Sequence, residues 1–301
     1  MNQEDTNRQA ARIALARFGP QAQVEPVGGP KGAVFRIRLP ESVKILKLGR
    51  AAAAGGLRKE QALIERLRRE GIPVPLIEHA ELDADPPYVL MTSAGDYRAA
   101  DYMQAPALAA QNVFGEMGVL LARIHRVELP AAGDILAEGR FVPRERTAYL
   151  EKLGRLADGL AAGGLIEGAD AQLFRSLPMP ELTGTNLCHG DFHAVQCIVR
   201  DGHVTAVVDW EGAWAGNPAV DFAVAQAYLE SYCPKDLLAS FVAGYLSQRS
   251  LPPGYQIDYL PVRMAQTLAL MRTLHAAGQT AYVARAVEMF RGYVSAWNSR
   301  G

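Results

Sequence analysis

Around residues 92–97, TSAGDY, the hydrophobic pattern of this chain changes period. Ahead of that point, short runs at 22–27, 33–39, 43–48, 76–80 and 87–92 carry the β-branched and aromatic residues of strands. A PES link of hairpin length joins the second run to the third. Two helices accompany them. One spans 5–18, with Ala10, Ile13, Leu15 and Phe18 at helical spacing; the other spans 57–70, carries Leu57, Ala62, Leu63 and Leu67, and stops at Gly71 and Pro73. Beyond the switch, helical spacing recurs over 105–127, 144–162, 169–176, 218–231, 234–248, 257–277 and 279–298. Two strand-like pieces, 196–200 and 203–208, interrupt that run, joined by the hairpin-favouring pair Asp201-Gly202. The pattern predicts an α+β chain of two lobes, a β-rich lobe over 1–95 and a larger helical lobe over 96–301, with a cleft at the polar junction. The AAAAGG run at 51–56 reads as a flexible loop.

Bulk properties narrow the function classes. A formal charge of −1, from 31 basic and 32 acidic residues, offers no field for nucleic acid or a membrane surface. The 3 cysteines, Cys188, Cys197 and Cys233, lack C-x-x-C spacing, which argues against a disulfide framework or a zinc site. No signal peptide is visible and no apolar run approaches the roughly 18–20 residues of a membrane span. The expectation is a cytoplasmic monomer or homodimer.

The chemistry concentrates in 187–223, LCHGDFHAVQCIVRDGHVTAVVDWEGAWAGNPAVDFA. Three readings compete. His189-x-Asp191 with a distant His203 or His275 matches the ligand pattern of a non-haem iron site, although that chemistry sits on double β-sheets and this half is helical. Polar turns without chemistry are the bland reading, since Asp favours loops. Phosphate transfer needs a base, oxygen ligands for Mg2+, a cation on the phosphates and a Gly-rich turn. Asp191 lies in an irregular stretch, Asp209 ends the apolar strand VTAVVDW, and Gly28, Gly29 and Gly32 form a turn between strands. Alternation in VKILKLG puts Lys47 and Ile45 on one face, where a desolvated amine calls for a partner, and Glu60 on the following helix is the natural one.

HGDFHAVQ, VVDWE and GNPAVDFA, in that order, resemble the signature of the aminoglycoside phosphotransferase and choline kinase group, relatives of the protein kinases. The likeness runs over roughly 24–225 and includes GIPVP, YVLMT and LLARIH. It implies a protein-kinase-like bilobal fold, ATP (or GTP) and Mg2+ as cofactors, and a hydroxylated small-molecule acceptor such as an aminoglycoside-like antibiotic, an amino-alcohol, a sugar or a related metabolite. By position, Asp191 would orient the acceptor hydroxyl, Asp209 would bind Mg2+, and Lys47 would contact the phosphates, held by Glu60. Residues 89–93, with Met91 and Ser93, would form the adenine hinge; His189 and Asp221 would brace the catalytic loop. Two positions depart from the group's pattern. Gln196 stands where a second metal ligand is usually Asn, one methylene shorter, and Asn217 replaces an Asp. The first departure leaves a nucleotide-binding pseudokinase as the alternative. Outside the motif, His125 and His275 read as structural residues at helix surfaces. Trp210, Trp214 and Tyr228 read as core and Glu211 as a loop brace, while Glu230, Asp236 and Asp258 are the acids a cationic acceptor could use.

Overall fold

A computed structural model describes residues 3–27, 33–49, 54–137 and 139–300. In chain order the strands are β1 (Gln23–Pro26), β2 (Ala33–Leu39), β3 (Ser42–Leu48), β4 (Ile77–Glu81), β5 (Tyr88–Thr92), β6 (Tyr97–Arg98), β7 (Gly133–Ile135), β8 (Phe141–Val142), β9 (Asn186–Cys188), β10 (Cys197–Arg200), β11 (His203–Val207) and β12 (Trp214–Gly216). The helices are α1 (Gln3–Phe18), α2 (Ala54–Arg69), α3 (Ala107–Ile124), α4 (Arg146–Ala162), α5 (Gly168–Ser176), α6 (Pro218–Tyr232), α7 (Lys235–Leu246), α8 (Tyr255–Asp258), α9 (Leu260–Ala276) and α10 (Thr280–Asn298). Among the described residues, no helix is long and apolar enough to cross a membrane.

The chain divides into two compact units, one of residues 1–98, 135–140 and 197–211, the other of 99–134, 141–196 and 212–301. The first is built on an antiparallel sheet ordered β1-β2-β3-β5-β4. Because side chains alternate across a strand, Leu46 and Leu48 of β3 join Phe35, Ile37, Tyr88 and Leu90 in a core closed by Ala10 and Ala14 of α1. Lys47 is left on the other face. A second sheet, β11-β10-β6, carries the hairpin read from the sequence. Asp201 (φ 52°) and Gly202 (φ 79°) both adopt the left-handed conformation that a two-residue hairpin turn demands.

Two expectations change here. The helix expected at 57–70 starts at Ala54, so residues 54–56 are its first turn and not loop, and Glu60 falls in the second turn. Residues 51–53 of that expected loop lie outside the described residues. The single helix expected at 257–277 is two, α8 and α9, with Tyr259 between them.

The second unit is helical, with a small sheet ordered β8-β7-β12-β9. In it, β12 runs antiparallel to β9, pairing Trp214 with Cys188, which sets the start of the 189–196 loop. Helix α6 packs on α9 and supplies that loop's floor.

Candidate active site

In the first unit, four charged groups meet. Lys47 Nζ lies 2.7 Å from Glu60 Oε2, 3.1 Å from Asp209 Oδ1 and 2.8 Å from Glu211 Oε1. Glu60 is 5% exposed. Its other oxygen accepts the Trp210 backbone N–H at 3.3 Å, which ties α2 to the segment after β11. Burial alone would lower the Lys47 pKa, but the carboxylates of Glu60, Asp209 and Glu211 outweigh it and raise the value, so the amine is an ammonium. Burial raises the Glu60 pKa, and the Lys47 charge pulls against that rise. Three carboxylates around one ammonium leave an excess of two negative charges when all are ionised. Asp209 has φ 68°, a left-handed conformation that Asp tolerates better than most side chains. Glu211, read as a brace, binds Lys47 through its carboxylate and accepts Lys59 Nζ at its carbonyl, 2.8 Å away.

The other nucleotide-site candidates lie in the same unit. Met91 is buried in β5 opposite Ile45. The Ser93 N–H donates to the Val43 carbonyl at 3.2 Å, and the Ser93 carbonyl accepts Arg200 Nη2 at 3.0 Å. Gly28, Gly29 and Gly32 lie outside the described residues.

In the second unit, the loop after β9 is held from below by one face of α6. Asp221, 1% exposed, accepts the N–H groups of His189 and Gly190, each at 2.8 Å, and His125 Nε2 at 3.0 Å. Its pKa falls despite burial because His125 hydrogen-bonds to it and His189 and the Gly190 N–H lie close. An ionised carboxylate only accepts hydrogen bonds, so His125 carries its proton on Nε2 and accepts the Tyr245 hydroxyl at Nδ1, 2.9 Å away. His125 is therefore neutral and completely buried, not at a helix surface as expected. Burial lowers its pKa against the pull of Asp221. Gly190 has φ 80°, and a Cβ there would stand 2.3 Å from the Gly212 carbonyl oxygen, so the turn requires glycine. Asn217 caps α6, accepting the Ala219 N–H at 3.0 Å.

Asp191 follows directly. Its N–H donates to His189 Nδ1 at 3.3 Å, and its Oδ2 accepts Gln196 Nε2 at 3.2 Å. The Tyr228 hydroxyl also hydrogen-bonds to it, and the Tyr228 ring stacks on His193 at 4.7 Å. The sequence reading had put Tyr228 in the core. The signal was there to read: Asp221, Tyr228 and Tyr232 stand seven and four residues apart, on one helix face. Tyr232 completes the row by accepting the Ala194 N–H at 3.1 Å. Trp210 and Trp214 are buried, as read. Among the described residues the one group of three that could hold a metal is His125, Cys188 and Asp221, which includes none of His189, Asp191, His203 and His275.

A family model for the phosphotransferase enzyme family matches residues 24–263. The chain belongs to the phosphotransferase enzyme family. The fold is protein-kinase-like, with a β-sheet N-terminal region and a helical C-terminal region. Solved structures of similar fold include two thermostable mutants of aminoglycoside phosphotransferase APH(4)-Ia. One, in complex with ADP and hygromycin B, has TM-score 0.71 and 14% identity over 96% of this chain and 98% of that one. The other, with AMP-PNP and hygromycin B, has TM-score 0.69 and 15% identity over 96% and 99%. Macrolide 2'-phosphotransferase MphH from Brachybacterium faecium has TM-score 0.60 and 18% identity over 94% and 97%. No curated protein sequence matches the chain. The phosphotransferase family acts on small molecules, and this chain is a small-molecule phosphotransferase of the kinase type.

Proposed function

We propose that the chain moves the γ-phosphoryl group of ATP to a hydroxyl of a small molecule. Asp191 accepts and aligns the acceptor hydroxyl proton; Lys47, fixed by Glu60, neutralises nucleotide phosphate charge; Asp209 is the Mg2+ ligand. The observation that carries this reading is the Lys47 cluster, in which a buried ammonium is held 2.7 Å from Glu60 and 3.1 Å from Asp209. Its donors are hard carboxylate oxygens with negative charge to spare, the set that Mg2+ takes. Asp209 would hold Mg2+, which when bound would supply positive charge to neutralise the nucleotide phosphates.

The protein's own part is positioning and charge placement. Asp221 takes the His189 and Gly190 N–H groups, so the backbone ahead of Asp191 is fixed. Of the acids that a polycationic acceptor could use, Glu230 is occupied by Tyr293, by Gln226 at 2.7 Å and by Arg263 at 3.7 Å. That favours an acceptor that is not strongly cationic.

The test is thermal shift with ATP, with and without Mg2+, followed by ATP consumption across hydroxylated compounds that include hygromycin B, a macrolide and simple polyols. Asp191→Ala should abolish turnover and keep the Mg·ATP shift; Asp209→Asn should lose both. Wild-type turnover in Asp191→Ala would refute the base, and nucleotide binding without consumption on any compound would favour the pseudokinase.

A further inference from the structure

Resting on the phosphotransferase reading, we propose that Tyr228 and Gln196 are positioning residues that clamp the Asp191 carboxylate from two elements, the Gln196 amide NH2 serving Asp191. Chemistry fixes the direction of the Gln196 contact. An ionised carboxylate has no proton to give, so only the amide NH2 can face it, and Nε2 sits 3.2 Å from Oδ2. Gln196 is 9% exposed, so little water competes for that bond. The length of the side chain matters. Asn would fall short by about 1.5 Å, one carbon–carbon bond, which carries the contact beyond hydrogen-bonding distance. The departure from Asn thus has a structural use, since Gln can reach the base across the turn that brings the Gln196 N–H to the His193 carbonyl at 2.9 Å.

Tyr228 approaches from α6. Its hydroxyl makes side-chain hydrogen bonds with Asp191 and with Gln266 of α9, and because a carboxylate can only accept, the phenol is the donor to Asp191. The ring is set independently of that bond by the stack on His193, centroids 4.7 Å apart and planes 29° from parallel. A carboxylate offers about four lone-pair sites, so two clamps still leave room for an acceptor hydroxyl. Fixing the base matters because misplacing a reacting group by about 1 Å costs on the order of a hundredfold in rate.

Two measurements decide the proposal. In the first, Tyr228→Phe and Gln196→Asn are compared with wild type for kcat and for the KM of ATP, using whichever panel compound supports turnover. Each variant should lower kcat roughly tenfold to a hundredfold and leave the KM of ATP and the Mg·ATP thermal shift unchanged. A Gln196→Asn protein with equal or higher kcat, or variants that raise only the KM of ATP, would overturn the clamp. The second measurement needs no turnover: urea-unfolding double-mutant cycles pairing each substitution with Asp191→Ala. Each substitution should change the unfolding constant about threefold to tenfold more when Asp191 is present than when it is absent, and additive cycles would overturn the proposal. If wild type consumes no ATP with any compound, the phosphotransferase reading fails while the cycles still decide whether the clamp exists.

Discussion

The Lys47–Glu60 pair lends itself to an asymmetric test, because its two members are not equally replaceable. Lys47→Met keeps the stem's volume and removes the ammonium. Glu60, 5% exposed, is then left with the Trp210 N–H at 3.3 Å and two acidic neighbours. Breaking a buried pair so that one charge stays behind costs about 3–5 kcal/mol. Glu60→Gln leaves less damage. The amide oxygen can still accept the Trp210 N–H, and Lys47 keeps Asp209 and Glu211 at 3.1 and 2.8 Å. Those two acids are 43% and 45% exposed, so solvent screens them and they replace Glu60 incompletely. The expected cost is about 1 kcal/mol. Urea unfolding followed by tryptophan fluorescence should therefore rank Lys47→Met below Glu60→Gln by about 2–4 kcal/mol at pH 7. Acidification adds a second signature. Without Lys47 to pull it down, the Glu60 pKa stays raised by burial, so the folded state takes up its proton before the unfolded state does. A raised carboxyl gives stability below its unfolded value of about 4.3 and loses it as pH climbs through the folded value. The Lys47→Met deficit should shrink between pH 7 and 5, whereas the Glu60→Gln deficit should grow, because that variant lacks the raised carboxyl that steadies the wild type on acidification. Equal deficits at pH 7, or a Lys47→Met deficit that widens on acidification, would refute the assigned charges.

Acid should also expose His125. Its pKa is lowered in the folded protein by burial, so below about pH 6.5 the unfolded chain binds a proton that the native one refuses. Native stability should then fall by up to about 1.4 kcal/mol per pH unit, a slope that urea titrations of His125→Gln should lack. Gly190→Ala should cost about 2 kcal/mol or more and abolish turnover, since φ 80° and the Gly212 carbonyl at 2.3 Å both oppose a Cβ; a circular-dichroism melt and the ATP assay check it.

What the letters disclosed, and what they hid, follows from the range of the forces involved. The Asp201-Gly202 hairpin was legible because two adjacent residues carry the required backbone preference. The β3 face that isolates Lys47 from Leu46 and Leu48 was legible from simple alternation. The α2 start was not, because Gly55 and Gly56 read as breakers and the helix tolerates them. Strands β6 to β9 and β12 are too short for a period of two to register. The burial of His125 depends on Tyr245 and Asp221, 120 and 96 residues away, so no local pattern could announce it. Tyr228 was missed for a different reason: its spacing from Asp221 was visible, but an aromatic on a helix usually signifies packing.

The left-handed backbone at Asp209 narrows what that position can hold. Glycine, asparagine and aspartate sit there at low conformational cost, and of these aspartate alone brings an anion. Glutamate would keep the charge and fight the torsion, whereas asparagine would keep the torsion and forfeit the charge. The torsion and the negative charge held 3.1 Å from the Lys47 ammonium together thus admit aspartate alone.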